Sequence, residues 1–275
     1  MLFTLICAFV AINSLQAQSQ LLVYENSVST KTDISKVHDN GLSPTMSVVG
    51  AVNPCAGTTT VTDYDGNVYK TLSMGEQCWM KSNLRTKHYA DGTAIALGDT
   101  YSDEVAYRYY PNENSGNVAT YGYLYNWKAV MHNATSSEAN PSGVQGICPK
   151  GWHVPSDAEW TQLTEWVISQ NKYQCGDESD YVAKALASTS GWTASTEDCE
   201  VGNSQTTNNA TGFGAFPAGG YYISSVGFGD MAYFWSATEY YTSRSYSLIL
   251  SYNKTGINRN NTNVGSGCSV RCIRN

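Results

Sequence analysis

Charged side chains are scarce in this sequence, and positive ones are the scarcer of the two signs. Lys and Arg supply 16 of its 275 residues and Asp and Glu supply 23, so the formal net charge is −7. Without a basic cluster the chain lacks what nucleic-acid binding requires, because contacts with phosphates depend on Lys and Arg. After the extreme N-terminus no run of about 18 apolar residues follows, which excludes a later transmembrane helix.

The familiar signatures of catalysis and metal binding are also missing. There is no G-x-S-x-G elbow, G-x-G-x-x-G turn or P-loop. No C-x-x-C pair occurs either, and no histidine lies near paired cysteines. Asp63, Asp65 and Asn67 superficially resemble a calcium loop, but Met74 stands where that loop needs a bidentate glutamate. The sequence therefore predicts neither a metal site nor a cofactor.

The first residues have the character of a secretory signal. An almost wholly apolar run, 2–12, is followed by small Ala17, and this run is too short to span a bilayer. No Lys or Arg precedes Lys31, so the usual basic start of a signal is absent. We predict a signal peptide over residues 1–17, a flexible tether or edge segment over 18–54, and an exported protein at the cell surface, in the periplasm or outside the cell.

The cysteines agree with export. Besides Cys7 in the predicted signal there are seven, and in an oxidising compartment they are expected to form disulfides, leaving at least one unpaired. Connectivity does not follow from sequence alone. Our hypothesis joins the cysteines as Cys55–Cys78 and Cys175–Cys199, each closing a local loop, and as Cys148–Cys272, with Cys268 left over.

Local patterns predict several short elements. Asp65-Gly66 between strand-forming runs indicates a hairpin. Ser156-Asp157-Ala158-Glu159 after Pro155 is a capping box, so a helix is expected to follow it, with both acids serving the helix start. A weaker helix is expected over 181–187. Strands are expected at 219–222, 233–236, 246–251 and 269–273.

Six segments, taken in order, resemble a known family. They are GNVYKTLSMGEQCWMKSNLRT (66–86), YGYLYNWKAVM (121–131), CPKGWHVPSDAEW (148–160), TGFGAFPAGGYY (211–222), FWSATE (234–239) and CSVRCIRN (268–275). From about residue 57 to its end, the chain resembles the Fibrobacter succinogenes major paralogous domain. We assign this domain to residues 55–275. That family is common in exported proteins of Bacteroidetes and Fibrobacteres, and its function is largely uncharacterised.

The resemblance implies an α+β, C-type-lectin-like fold, with one or two helices, a small twisted, mostly antiparallel sheet and long loops. The segments around residues 151–160 and 268–275 are also similar to formylglycine-generating enzymes, which share that architecture. The long-range bridge Cys148–Cys272 fits such a fold, in which the ends of the domain meet. Large aromatic side chains are expected to fill the core of a loop-rich domain: Trp79, Trp127, Trp152, Trp160 and Trp235. Arg271 in the last strand is expected to pair with Glu239 or Glu159.

The first functional hypothesis is a non-catalytic recognition module for a glycan or a partner protein at the bacterial surface. We interpret the segment 239–263 as loop-rich, with a single strand at 246–251, and as rich in side chains that recognition surfaces use. A solvated loop between two strands is the alternative for this segment. The candidate ligand-binding residues are Tyr240, Tyr241, Arg244, Asn258, Asn260 and Asn261. The helix after Pro155 is expected to contribute little to ligand binding, because its apolar face is expected to pack in the core and its acids to cap the helix start.

Two other function classes stay open. One is an oxidase like the formylglycine-generating enzymes, which work through a cysteine pair; Cys268 and Cys272 are the closely spaced pair here. The other is a structural surface or fibre subunit, for which the sequence offers no supporting repeat. The Glu-Pro-Asn and Gln-Pro-Asp motifs of calcium-dependent lectins are absent, so calcium-dependent sugar binding of the usual geometry is not expected.

Overall fold

The structure, a computed structural model, describes residues 53–275. The predicted signal peptide (1–17) and all but the last two residues of the predicted tether (18–54) lie outside this part of the chain. Residues Pro54–Asn275 form one compact unit. It combines short helices with mostly antiparallel sheets, so the α+β prediction is confirmed.

Thirteen short strands lie within the described residues. They are β1 (Thr60–Thr62), β2 (Val68–Met74), β3 (Gln77–Met80), β4 (Ala96–Leu97), β5 (Tyr107–Tyr109), β6 (Leu124–Tyr125), β7 (Trp152–His153), β8 (Gly220–Tyr221), β9 (Ser225–Val226), β10 (Met231–Tyr241), β11 (Arg244–Ser251), β12 (Asn258–Asn263) and β13 (Ile273–Arg274). The α-helices described there are α1 (Val118–Tyr121), α2 (Trp127–Met131), α3 (Asp157–Ile168) and α4 (Ala183–Leu186). Single 3-10 turns cover Pro111–Glu113, Ser115–Asn117, Asn171–Tyr173 and Gln205–Thr207.

The largest sheet joins the two ends of the domain. Its order is β1-β2-β3-β13-β7, and its neighbours are antiparallel. The β1–β2 hairpin turns around Asp65-Gly66, as predicted, and Gly66 has a positive φ of 79° that suits such a turn. The Asp63 carboxylate accepts hydrogen bonds from Asn67 and Tyr69, so it is used within the hairpin.

All three predicted disulfides are present, Cys55–Cys78, Cys148–Cys272 and Cys175–Cys199. The second spans 124 residues and ties the segment before β7 to the residue before β13. Cys268 is the free cysteine of the described residues, and it is buried.

Helix α3 confirms the clearest helical prediction. Ser156 accepts a hydrogen bond from the backbone N–H of Glu159, and the Glu159 carboxylate accepts one from the Ser156 N–H, which completes the capping box. The buried face of the helix presents Trp160, which packs 4.5 Å from Trp79 between ring centroids. The weaker helix, predicted over 181–187, is present as the shorter helix α4.

Strong aromatic anchoring of the core is also confirmed. Trp79, Trp152, Trp160 and Trp235 are buried, whereas Trp127 is half-buried and donates its indole N–H to the Ser236 carbonyl at 2.9 Å. Trp152 and Trp235 lie in one core cluster and Trp79 and Trp160 in another, and each removes a large apolar surface from water.

The predicted acidic partner of Arg271 is wrong. Its guanidinium donates to Asn83 Oδ1 at 2.9 Å and to the carbonyl oxygens of Phe213 and Gly214. The Phe213 ring lies 4.1 Å from the guanidinium carbon. Glu159 is used elsewhere, since it bonds His153 Nε2 at 2.7 Å. Neutral amide and carbonyl oxygens accept from the N–H groups of the guanidinium, and the Phe213 ring covers its flat face, so no acidic partner is required.

The interpretation of residues 239–263 as mainly loop is also wrong. Strands β10, β11 and β12 form a three-stranded antiparallel sheet in that order, and this sheet contains most of the segment. The four Asn residues in β12 have low strand propensity, so the local sequence favours a loop there. Pairing of all six β12 residues with Arg244 to Ile249 of β11 overrides that local preference.

Candidate recognition surface

The candidate surface is one face of the β10–β11–β12 sheet. In β11, Arg244 and Tyr246 are two residues apart and therefore project to the same side. Across the ladder Arg244 lies opposite Asn263 and Tyr246 lies opposite Asn261, so Asn261 shares this side. Arg244 donates to the carbonyl and to the side-chain oxygen of Asn261, at 3.2 and 2.9 Å.

A β-bulge adds two tyrosines to this side. The pairing of β10 with β11 shifts between Trp235 and Glu239 and again before Tyr241. Adjacent strand residues normally point to opposite faces, yet the rings of Tyr240 and Tyr241 are 5.0 Å apart here. Tyr240 also packs edge-on against Tyr246 at 5.1 Å. Tyr240 and Tyr241 are 48% and 54% exposed, so half of each large side chain faces solvent.

The bulge is held by backbone groups and one hydroxyl from segments elsewhere in the chain. The Thr238 hydroxyl donates to the Ser137 carbonyl at 2.6 Å, and the Ser136 hydroxyl accepts from the Glu239 N–H at 2.8 Å. The backbone of Ala237 binds Pro155 and Ser137. These bonds satisfy donors and acceptors that the bulge removes from the strand ladder, and so they stabilise the orientation of the tyrosines.

Arg259 extends the surface toward helix α3. Its guanidinium lies 3.7 Å from the centre of the Tyr246 ring and donates to Asp157 Oδ1 at 2.6 Å. Asp157 stands in the first turn of α3, so its carboxylate reaches beyond the capping role that the sequence predicted for it. A small groove of about 110 Å³ between helix and sheet, with Trp160 and Leu248 in its wall, adjoins Arg259.

We call the resulting set the tyrosine–arginine face. It comprises Tyr240, Tyr241, Arg244, Tyr246, Arg259 and Asn261. Stacked rings and guanidinium groups present apolar surface and hydrogen-bond donors side by side, which suits a partner that offers carbonyl, hydroxyl or carboxylate oxygens.

The structure brings four of the six predicted ligand-binding residues onto this face: Tyr240, Tyr241, Arg244 and Asn261. Asn258 and Asn260 alternate with Arg259 and Asn261 along β12, so they project to the opposite side of the sheet. Asn260 moreover accepts a hydrogen bond from the N–H of the next residue.

Sequence reasoning missed Tyr246, Arg259 and Asp157. Tyr246 was assigned to a strand, and its period-two relation to Arg244 was the signal that could have placed it on this face. Recognising β12 as a strand would have placed Arg259 on the same face as Asn261, because these residues are also two positions apart. Nothing in the sequence near Asp157 pointed to Arg259, which lies 102 residues away.

The comparisons with known proteins concern the family. A model of the Fibrobacter succinogenes major domain matches residues 72–274. The chain belongs to the Fibrobacter succinogenes major domain family. No curated protein and no solved structure matches it.

The disulfides bear on the compartment in which this family member functions. Three disulfides fit a protein exported to an oxidising compartment. Among residues 53–275, no helix has the length and apolar character that crossing a membrane demands. Within the same residues, no group of three or more side chains is arranged to hold a metal ion.

Proposed function

We propose that this protein is an exported, non-catalytic recognition module that binds a partner protein or a glycan at the bacterial cell surface through its tyrosine–arginine face. The observation that carries the proposal is the exposure of Tyr240 and Tyr241, which a bulge holds together beside Arg244. The domain leaves about half of both rings in water, whereas most of its other aromatic rings are buried or half-buried. Such an arrangement is typical of an interface that a partner covers.

The composition of the face supports both ligand classes. Tyr and Arg are the side chains most often found at the energetic centres of protein interfaces. The Asn261 amide and the tyrosine hydroxyls also offer donors and acceptors that match sugar hydroxyls. A C-type-lectin-like arrangement of the domain, which the family resemblance implies, belongs to the same proposal.

The test uses a triple variant, Tyr240→Ala/Tyr241→Ala/Arg244→Ala, against a matched control, Asn258→Ala/Asn260→Ala, from the opposite side of β12. Labelled mature protein is applied to a glycan array, with and without chelator, and to cells of the producing bacterium that lack the gene. We expect the triple variant to lose binding while its melting temperature hardly changes, because exposed substitutions usually cost within about 0.5 kcal/mol each.

Protease treatment of the cells separates the ligand classes. Binding that disappears after treatment identifies a protein partner, and binding that persists identifies a glycan. Full binding by the triple variant, or loss of binding by the Asn258/Asn260 control alone, would contradict the proposal.

The oxidase alternative depended on a pair of free thiols at Cys268 and Cys272. Cys272 is bonded to Cys148, and the Cys268 thiol is buried, which raises its pKa well above the ordinary value. A thiol with a raised pKa is a poor nucleophile because little of it is thiolate at neutral pH. No contact among the described residues favours the fibre-subunit alternative over the recognition module.

A further inference from the structure

A second concave site borders the bulge of β10 through Ser136 and Ser137, and no side chain of the tyrosine–arginine face lines it. It is a cleft of about 640 Å³ formed by the turn at Asp91, the loop that follows α2 and the segment before Cys148. Its polar lining includes Asp91, His132, Thr135, Ser136, Gln145 and Lys150. Its volume falls in the range of sites that bind small molecules, about 300–1,000 Å³.

A stacked pair of rings forms one wall. Tyr89 is buried, and its ring lies 3.6 Å from that of His132 with only 8° between the planes. Because Tyr89 covers one face of the imidazole, the exposed 31% of the His132 side chain is left for the cleft. A flat, rigid ring supported from behind is a surface on which a ligand ring can stack.

The backbone around the cleft is held in unusual conformations. His132 and Asn133 follow one another at φ of 48° and 64°, a region that few side chains other than Asn, Asp and His adopt. At Gly146, with φ of 50°, a Cβ atom would lie 2.2 Å from the Val130 carbonyl oxygen. The wall therefore has a defined shape, because the chain passes too closely behind it for a side chain at 146.

The charges around the cleft nearly balance. Asp91 Oδ2 lies 4.0 Å from His132 Nε2, and Lys150 supplies one positive charge. The N–H of Thr93 donates to Asp91 at 2.8 Å and lowers the pKa of that carboxyl, so it is an ionised acceptor at neutral pH. The lining thus holds one acidic side chain, Asp91, and one basic side chain, Lys150, among hydroxyl and amide groups. Such a lining favours a ligand that is rich in hydroxyl groups and carries no net charge.

We propose that this cleft binds one or two rings of a neutral saccharide, with the His132 ring as the stacking surface and the Asp91 carboxylate and Gln145 amide bonding its hydroxyls. The side chains of the tyrosine–arginine face do not line this cleft, and the inference does not depend on the function proposed for that face. It assigns the cleft a ligand class of its own.

The test follows imidazole resonances by NMR in ¹⁵N-labelled mature protein. Neutral disaccharides are added in turn: cellobiose, maltose, mannobiose and N,N′-diacetylchitobiose. We expect at least one of them to shift the His132 signals with a saturable curve and a dissociation constant of about 1–10 mM. His88, which bonds Asp65, and buried His153 lie outside the cleft and serve as internal controls.

Two variants test the roles of the lining residues. His132→Asn removes the ring but keeps a residue that tolerates the left-handed backbone, and Asp91→Asn removes only the charge. Each is expected to weaken the affinity at least tenfold, while unchanged His88 and His153 signals report an intact fold. Tyr240→Ala/Tyr241→Ala should leave this affinity unchanged, so failure of the cleft is distinguishable from failure of the face.

Three outcomes would overturn the proposal. One is that no disaccharide shifts the His132 signals up to about 100 mM, a concentration well above that affinity range. Another is full affinity in His132→Asn. The third is saturable binding by charged oligosaccharides or short peptides while the neutral disaccharides fail to bind.

Discussion

Buried polar side chains at single positions link segments that are distant in the sequence. Arg271, 1% exposed, ties the segment before β13 to Asn83 and to the carbonyl groups of Phe213 and Gly214. Burial lowers the pKa of Arg271 to about 9, which still leaves it charged at neutral pH. An isolated charge in an apolar interior is costly, so the convergence of acceptors on the guanidinium is what makes its burial tolerable.

The Cys268 thiol provides a prediction at the residue scale. Because burial raises its pKa and limits access, a disulfide-exchange reagent such as Ellman's reagent at pH 8 should label no thiol of 53–275 in the folded protein. In about 6 M guanidinium chloride, which unfolds most domains, one thiol should react.

A Cys268→Ser variant, which should titrate no thiol even when unfolded, is the control for that assignment. Rapid labelling of the native protein would instead show an accessible thiol and would return weight to the oxidase hypothesis.

Among the elements, β10 is the one on which the proposed recognition surface depends. Its first part pairs regularly with β11, and its second part bulges where Ser136, Ser137 and Pro155 bind its backbone. Bulges re-aim side chains that an unbroken strand would place on opposite faces. The position of Tyr240 and Tyr241 is therefore a property of the element and its neighbours together.

Helix α3 provides a prediction at the element scale. Ser156→Ala removes the side-chain acceptor of the Glu159 N–H and should lower the free energy of unfolding by about 0.5–2 kcal/mol. Chemical denaturation should show a lower midpoint with an unchanged slope.

Thr161→Ala, on the exposed side of the same helix, is the matched control and should change stability by no more than about 0.5 kcal/mol. Equal losses in the two variants would mean that the cap does not stabilise the helix start.

At the scale of the whole molecule, the five-stranded sheet and its disulfides close the domain. β13 lies between β3 and β7. Ile273 therefore pairs with His153, 120 positions earlier, and with Trp79, 194 positions earlier. Cys148–Cys272 adds a covalent link beside this pairing. Opening this end of the domain requires both the sheet and the bridge to separate.

The disulfides provide a prediction at this scale. On the chain-entropy model, removing Cys148–Cys272 should cost about 5 kcal/mol and removing Cys175–Cys199 about 3.5 kcal/mol, because the first closes a much longer loop. Urea unfolding of the two double Cys→Ala variants, one for each bridge, measures which removal lowers the free energy of unfolding more. A greater loss for the Cys175–Cys199 pair would show that native packing around the bridges, and not loop length, dominates their effect.

Features that depend on a few neighbouring residues were predictable from the sequence. The Asp65-Gly66 hairpin follows from local turn chemistry, and the start of α3 follows from a capping box within four residues. The burial of Trp79, Trp160 and Trp235 follows from their apolar area. The family motifs also identified the family, whose model matches residues 72–274.

Features that depend on partners far along the chain were decided by the tertiary structure. The polar run of β12 becomes a strand only because β11 offers an edge to it, and the alternation of that strand then separates Asn261 from Asn258 and Asn260. Arg271 finds neutral acceptors on remote segments instead of an acid. The sequence by itself determined the local elements and the family, because these rest on short-range chemistry. The composition of the tyrosine–arginine face and the cleft at His132 rests on long-range packing, which only the folded chain defines.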